Sequence, residues 1–396
     1  MRFASLDGWR GVCALLVCLF HLNVVTKSWM QHVPLIANGF MFVDFFFVLS
    51  GFVISVAYAP RIAQLGDLGR LIARRFGRLW PLNTVVLAGW LAIEVLAWLE
   101  QPHLGLIREH DPFTGPNTPW ALLSHLLLLQ SFGLHDQLTW NGPAWSIGAE
   151  FWTYVVFGLA CLLSNGGRRW AAIVLAVLGL AVVSTCPHYM DATYDYGFFR
   201  CLYGFFLGHL VYRAHIRGRA RGSIGPRAAT VLELSGVILV VIFASVAGRD
   251  PISLAAPLVF AAVVYVFSFE AGTLSRALAT ALFRRIGACS YSIYMLQSLC
   301  LVLLIDAVGV IERLTGASLR IAVPSNDGEH LRIWLGNDFI MALFAIAFLA
   351  LVVAAASVTH RVVEEPSRRR FNDWADRLSL GSVAPQARSR SAQAAE

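Results

Sequence analysis

Residues 8–21 read Gly8-Trp9-Arg10-Gly11-Val12-Cys13-Ala14-Leu15-Leu16-Val17-Cys18-Leu19-Phe20-His21, an apolar run that holds two ionisable side chains. The run continues to residue 26, enough for a helix that crosses a bilayer. Arg10 and His21 stand eleven residues apart. That is about three helical turns, so the two share one face, ~16 Å apart along the axis. An ionisable group inside a membrane helix is costly and marks function by default. Two on one stripe describe a polar track through the bilayer. The run follows Met1-Arg2 as a signal peptide would, but it is long, carries these charges and lacks a small-residue cleavage pattern. It reads as a retained helix.

The rest of the chain repeats the theme. Of its 396 residues 57% are hydrophobic and only 14% charged, where a soluble domain has about 25% charged. Apolar runs of spanning length fall at 8–26, 36–57, 79–99, 144–163, 169–186, 194–212, 229–248, 251–268, 287–307 and 337–358. The expected fold is an all-α polytopic membrane protein of about ten transmembrane helices. One membrane domain covers 1–370, and a polar cytoplasmic tail, 371–396, is expected to be disordered.

Charge fixes the orientation. With the N-terminus inside and ten crossings, 23 Lys and Arg residues fall inside and six outside. Positive charge collects on the cytoplasmic side of membrane proteins, so both termini are expected in the cytoplasm. The net charge of +7 is then a consequence of topology, and no nucleic-acid partner is expected. Seven cysteines form no CxxC pair, so neither a disulfide framework nor a metal site is indicated. His103 and His110, seven apart, are poor metal spacing.

Between the second and third runs, residues 61–81 hold Arg70, Arg74, Arg75 and Arg78 among apolar residues at helical spacing. This connection is expected to lie along the inner membrane surface. In the long outer loop 100–143, the stretch Trp120 to Phe132 is too short to span and is expected as a re-entrant or interfacial helix. A second outer loop covers about 308–336.

Counted from the outer rim, His21, Asp44, Glu150 and Arg200 all lie within about 12 Å of the surface, on four different helices. Facing one another they would form a polar chamber. A histidine oriented by a carboxylate suits general-base work near neutral pH; Asp44 or Glu150 could orient it. Asp44 could equally be a structural partner of Arg10 or Arg200. Arg10 sits deeper, and with Arg75 and Arg78 it forms an arginine group suited to phosphate. Ser50-Gly51 reads as close packing. Glu94, His209 and Asp306 fall near helix ends and are given no role.

Several stretches together resemble the acyltransferase-3 family of integral membrane acyltransferases. These are Leu6-Asp7-Gly8-Trp9-Arg10-Gly11 with His21, Val43-Asp44-Phe45-Phe46-Phe47-Val48-Leu49-Ser50-Gly51-Phe52, and Arg75-Phe76-Gly77-Arg78-Leu79-Trp80-Pro81. Asn141-Gly142-Pro143-Ala144-Trp145-Ser146-Ile147-Gly148-Ala149-Glu150, Ser290-Tyr291-Ser292-Ile293-Tyr294 and Glu364-Glu365-Pro366 follow in order. The resemblance implies transfer of an acyl group, commonly acetyl, from acyl-CoA to a hydroxyl of a carbohydrate or glycosylated acceptor such as exopolysaccharide or lipopolysaccharide. It implies that His21 is catalytic and that Arg10, Arg75 and Arg78 serve the coenzyme. Asp44 and Glu150 complete the expected catalytic set. Gln297 stands where relatives often have His. No fused esterase-like domain is expected, and the location implied is the cell inner membrane. Ten helices with buried charge also fit a transporter or flippase for a lipid-linked or glycosylated substrate, or a sugar polymerase. Thiol release from the coenzyme separates these from acyl transfer.

Overall fold

All ten apolar segments form helices in the computed structural model, which describes residues 3–104, 111–222, 224–325 and 328–380. In chain order the elements are α1 (Ala4–Val25), α2 (Pro34–Ala37), α3 (Phe42–Tyr58), α4 (Leu65–Leu104), α5 (Pro119–Leu126), α6 (Trp145–Cys161), α7 (Asn165–Val183) and α8 (Gly197–Ala220). There follow α9 (Pro226–Val246), α10 (Ala256–Phe267), α11 (Thr273–Leu278), α12 (Ala281–Ala288), α13 (Ser290–Thr315), strands β1 (Arg320–Ser325) and β2 (Gly328–Ile333), α14 (Asp338–Thr359) and α15 (Glu365–Leu380). Seven helical stretches among the described residues are long and apolar enough to cross a membrane, and Pro251–Phe267 is a shorter apolar one. Their outer faces carry exposed apolar side chains such as Leu96, Trp98, Val174, Val177, Ile238 and Ile346. A soluble protein rarely exposes so much contiguous apolar surface. The chain is an all-α polytopic membrane protein.

Close backbone approach holds the centre together. A Cβ on Gly51 of α3 would run into the Phe205 carbonyl of α8, and one on Gly208 of α8 into the Val48 carbonyl of α3. Small residues permit this contact where lipid gives no hydrophobic drive for helix association. Around it pack Phe45, Phe47, Phe52, Phe157, Phe205 and Phe260, all fully buried.

Three expectations change. Residues 65–81 are not a surface connection but the first half of α4, a helix of 40 residues. At 1.5 Å per residue it is ~60 Å long, about twice the thickness of a bilayer core. The helical stripe begun at Leu71 simply continues through Leu79, Leu82 and Val86, all buried. The helix runs through Pro81, so Arg75 and Arg78 are carried inside the bundle. Second, α15 takes the chain past residue 370 as packed helix. Phe371 fills the space left by Gly77, and Arg74 pairs with Asp376. Residues 381–396 lie outside the described part of the chain.

Third, the outer loops are more structured than their composition suggests. Only Pro119–Leu126 of the expected interfacial helix is helical, capped by Thr118. It is pinned to α4 by Trp80 Nε1 donating to Leu126 O at 2.9 Å and Asn83 Nδ2 to His125 O at 3.2 Å. The loop after α13 folds into an antiparallel hairpin, Arg320 facing Ile333. An Arg320–Glu312 pair at 2.6 Å ties it back to α13. The His103 side chain and His110 are outside the described residues.

Candidate active site

A narrow cavity lies between α1, α3, α4, α6 and α13. Its polar lining includes Arg10, Ser50, Arg75, Arg78, Glu150 and Tyr154. The placement follows from helical spacing. Arg75 and Arg78 are three apart on α4, and Glu150 and Tyr154 four apart on α6, so each pair shares a face. Tyr154 OH donates to Glu150 Oε1. Ser50 Oγ donates to the same oxygen at 2.6 Å. The Arg75 guanidinium lies 5.4 Å from the Tyr58 ring centroid and 5.7 Å from that of Tyr154, within cation–π range. Its Nη2 also donates to Tyr58 OH at 3.4 Å, while its buried Nε has no partner. Among the described residues no carboxylate forms an ion pair with Arg10, Arg75 or Arg78. Three guanidinium groups therefore face one carboxylate that is already hydrogen-bonded.

A second pocket is lined by Tyr58, Arg74, Arg75, Arg78, Arg368, Asn372 and Asp376, the last paired with Arg74. Arg75 and Arg78 line both spaces. They form a neck between an open polar mouth and the inner cavity. The inner cavity touches α3 from Val43 to Ile54. Eleven residues of helix make it ~16 Å long, the same rise that separates Arg10 from His21 on α1.

The other expected site residues are arranged differently. His21 does not line the cavity. Its ring packs beside Phe20, which meets Phe40 just before α3, at 6.1 Å between centroids. The cavity's outer end at Val43 thus stops about one turn short of the level of His21. His21 Nδ1 donates to Val17 O at 2.9 Å. That bond leaves Nε2 with its lone pair, the tautomer a general base requires. Neither Asp44 nor Glu150 makes this orienting contact. The backbone of α1 itself does so.

Asp44 and Arg200 form a fully buried, two-pronged ion pair. Arg200 Nε donates to Asp44 Oδ1 at 2.9 Å and Nη2 to Oδ2 at 2.8 Å. Arg200 also donates to Ala192 O and Phe40 O, each at 3.0 Å, and lies 5.3 Å from the Trp145 ring centroid. Both groups are fully engaged in joining α3, α8 and the outer turns. The expected four-residue chamber therefore separates into three parts, with His21 apart on α1. Asp44 and Arg200 make a structural lock. Glu150 faces inward to Ser50 and the arginines, because α6 presents it to the middle of α3 rather than to its start.

Sequence reading missed Ser50, Tyr58, Tyr154, Arg368 and Asn372. Tyr154 was legible as the residue one turn after Glu150. Arg368, Asn372 and Asp376 follow one another at four-residue spacing, but the boundary expected at residue 370 separates Arg368 from Asn372. On α13, Gln297 is 1% exposed and neither amide atom has a partner; Asn141 donates to Met295 O at 3.2 Å while its own Oδ1 is unpartnered. Among the described residues no group of three or more His, Cys, Asp or Glu could hold a metal ion.

Comparison with known proteins gives the family. The profile of the acyltransferase-3 family, described as an acyltransferase domain, matches residues 3–359. The chain is 33% identical over 190 residues to "Protein 2 in picA locus" of Rhizobium radiobacter, an overlap covering 46% of this chain and 93% of that protein. It is 25% identical over 313 residues to the peptidoglycan O-acetyltransferase OatA of Listeria monocytogenes, covering 74% of this chain. The match spans 48%, about half, of that relative's length. No solved structure matches. The chain belongs to the acyltransferase-3 family and is an acyltransferase.

Proposed function

We propose that this family member is an inner-membrane O-acyltransferase that moves an acyl group, acetyl in the first instance, from acyl-CoA to a hydroxyl of a carbohydrate or glycosylated acceptor. The carrying observation is the neck: Arg75 and Arg78 line both the polar mouth and the inner cavity. A coenzyme A thioester has the matching shape, with phosphates at one end and a narrow arm ending in the acyl group. Arg74, Arg75, Arg78 and Arg368 hold the phosphates by charge-assisted bonds. The arm enters the cavity past Arg10, toward the level of His21. The Listeria relative is named for a glycan acceptor, which supports the carbohydrate class.

In the chemical step the acceptor oxygen attacks the thioester carbonyl. His21 Nε2 takes the hydroxyl proton, the C–S bond breaks, and the thiolate leaves and is protonated to coenzyme A thiol. The developing oxyanion needs a donor. Arg10 and Arg78 lie at the neck, ~16 Å along α1 from His21, and Arg200 is engaged by Asp44, so this donor is not one of the arginines. Asp44 acts through Arg200, holding the outer ends of α3 and α8 in register. Glu150 holds Ser50 and Tyr154 and balances the arginines.

The test is thiol release from acetyl-CoA by purified protein, together with acetyl-CoA binding. Each of Arg75→Ala and Arg78→Ala should weaken binding by roughly tenfold or more, from about 1.5–3 kcal/mol per lost charge-assisted bond. His21→Ala should abolish transfer and leave binding intact. A transporter would release no thiol at all. Unchanged coenzyme affinity in both arginine variants would show that they serve only as membrane anchors.

A further inference from the structure

A second basic pocket lies on the same face of the molecule, away from the cavity. Its lining includes Arg168, His209, Tyr212, Arg213, Ile216 and Arg217. Three features mark it as a built site. First, among the described residues none of Arg168, Arg213 and Arg217 forms an ion pair with a carboxylate. Three like charges around one space repel each other unless an anion joins them.

Second, Arg168 is held in place. Its Nη1 donates to Ala59 O at 2.6 Å and its Nη2 to Cys161 O. These are the carbonyls at the ends of α3 and α6, where a cation is favoured. Its buried Nε has no partner. Third, His209 is 1% exposed, and its Nε2 is buried without a partner. Ser55 Oγ gives its one proton to Gly51 O at 2.6 Å. At 2.8 Å from the same hydroxyl, His209 Nδ1 must then be the donor. The neutral ring presents a lone pair at Nε2, which calls for a hydroxyl donor.

The surroundings identify the source of the anion. Ile216 in the pocket, and Leu159, Leu163 and Trp170 on the adjoining helices, are exposed apolar side chains. Tryptophan collects at the level of lipid headgroups. Basic pockets between helices on the cytoplasmic side suit anionic headgroups.

We propose that this pocket binds the headgroup of a phosphatidylglycerol-type lipid. The phosphodiester sits among Arg168, Arg213 and Arg217, a glycerol hydroxyl donates to His209 Nε2, and the acyl chains run past Ile216. The site is separate from the coenzyme mouth, so it does not depend on the acyl-transfer reading.

The test uses the full chain in neutral detergent and measures retention of dioctanoyl lipids by native mass spectrometry. Phosphatidylglycerol should bind at least tenfold better than phosphatidylcholine. Phosphatidylethanol has the same charge and no headgroup hydroxyl, and should bind several-fold less well than phosphatidylglycerol. The double variant Arg213→Gln/Arg217→Gln should lose tenfold or more in phosphatidylglycerol affinity, while Arg276→Gln, basic but outside the pocket, should lose nothing. Basal thiol release should be unchanged in both. Equal retention by the double variant and wild type would overturn the site. Displacement by inorganic phosphate at the lipid's own concentration would make it a free-anion site and overturn the lipid assignment. Equal binding of phosphatidylethanol and phosphatidylglycerol would remove His209 from it.

Discussion

Replacing Asp44 by Asn tests whether the outer carboxylate does chemistry or holds the fold. Asp44 is 0% and Arg200 1% exposed, and two charge-assisted bonds join them at 2.9 and 2.8 Å. Removing one partner of a buried pair leaves the other charge uncompensated, at about 3–5 kcal/mol. Arg200 keeps its bonds to Ala192 O and Phe40 O, and the new amide oxygen still accepts one bond. The lower end, about 3 kcal/mol, is therefore expected. For a chain of this size that is a fall of ~4 °C in melting temperature, read in detergent by a thermal scan. Thiol release, normalised to folded protein from size-exclusion chromatography, should stay within a few-fold of wild type. Arg200→Gln should cost a similar amount, and the double variant clearly less than the sum, because the two residues share one interaction. An Asp44→Asn protein that melts as wild type yet transfers no acyl group would refute the structural assignment and make Asp44 a proton-handling residue.

Further outcomes are expected. Arg368→Ala should weaken acetyl-CoA binding roughly three- to tenfold and leave the rate at saturating donor unchanged, since Arg368 lines only the mouth and is half exposed; isothermal titration and a donor saturation curve read this. Gly51→Ala should sharply reduce the yield of folded protein in detergent, because the added methyl meets the Phe205 backbone, whereas Gly66→Ala, with open space around it, should not. In a cysteine-free background, a cysteine at Ile224 should be shielded from an impermeant reagent in intact cells and one at Glu329 should react; the reverse pattern would invert the orientation drawn from the basic residues.

The helices were legible because a membrane helix has little freedom in its composition. Each expected run became helix, and seven helical stretches among the described residues are long and apolar enough to cross a membrane. What stayed hidden was where a helix continues in polar dress. Residues 65–78 read as a basic connection because Arg70, Arg74, Arg75 and Arg78 lie in them, but their apolar partners keep the helical stripe that α4 buries. The same holds for α15, whose Phe371 and Ala375 seat it on the body. Charge density argued for exposure, while the 3.6-residue period argued for packing, and the period was the better guide.

Depth alone was a weaker guide to the site. It placed Asp44, Glu150, Arg200 and His21 in one layer, yet a shared depth says nothing about which way each helix turns its face. Asp44 and Arg200 do meet. Glu150 turns inward to Ser50, and His21 satisfies itself on Val17. Arg10, Arg75 and Arg78, grouped for the coenzyme by the family resemblance, line one cavity. The outcome is a divided machine rather than one chamber. The arginine neck proposed for the donor's phosphates lies on the basic face, and the lone pair at His21 Nε2 lies ~16 Å further along α1. If the basic face is cytoplasmic, a donor held at the neck delivers its acyl group toward the opposite side. Sealed vesicles of known orientation, given acetyl-CoA on the basic face only, should then acetylate acceptor trapped on the far side. Transfer that proceeds only with both substrates on the basic face would mean that His21 is reached from within, and that the cavity is a blind pocket instead of a passage.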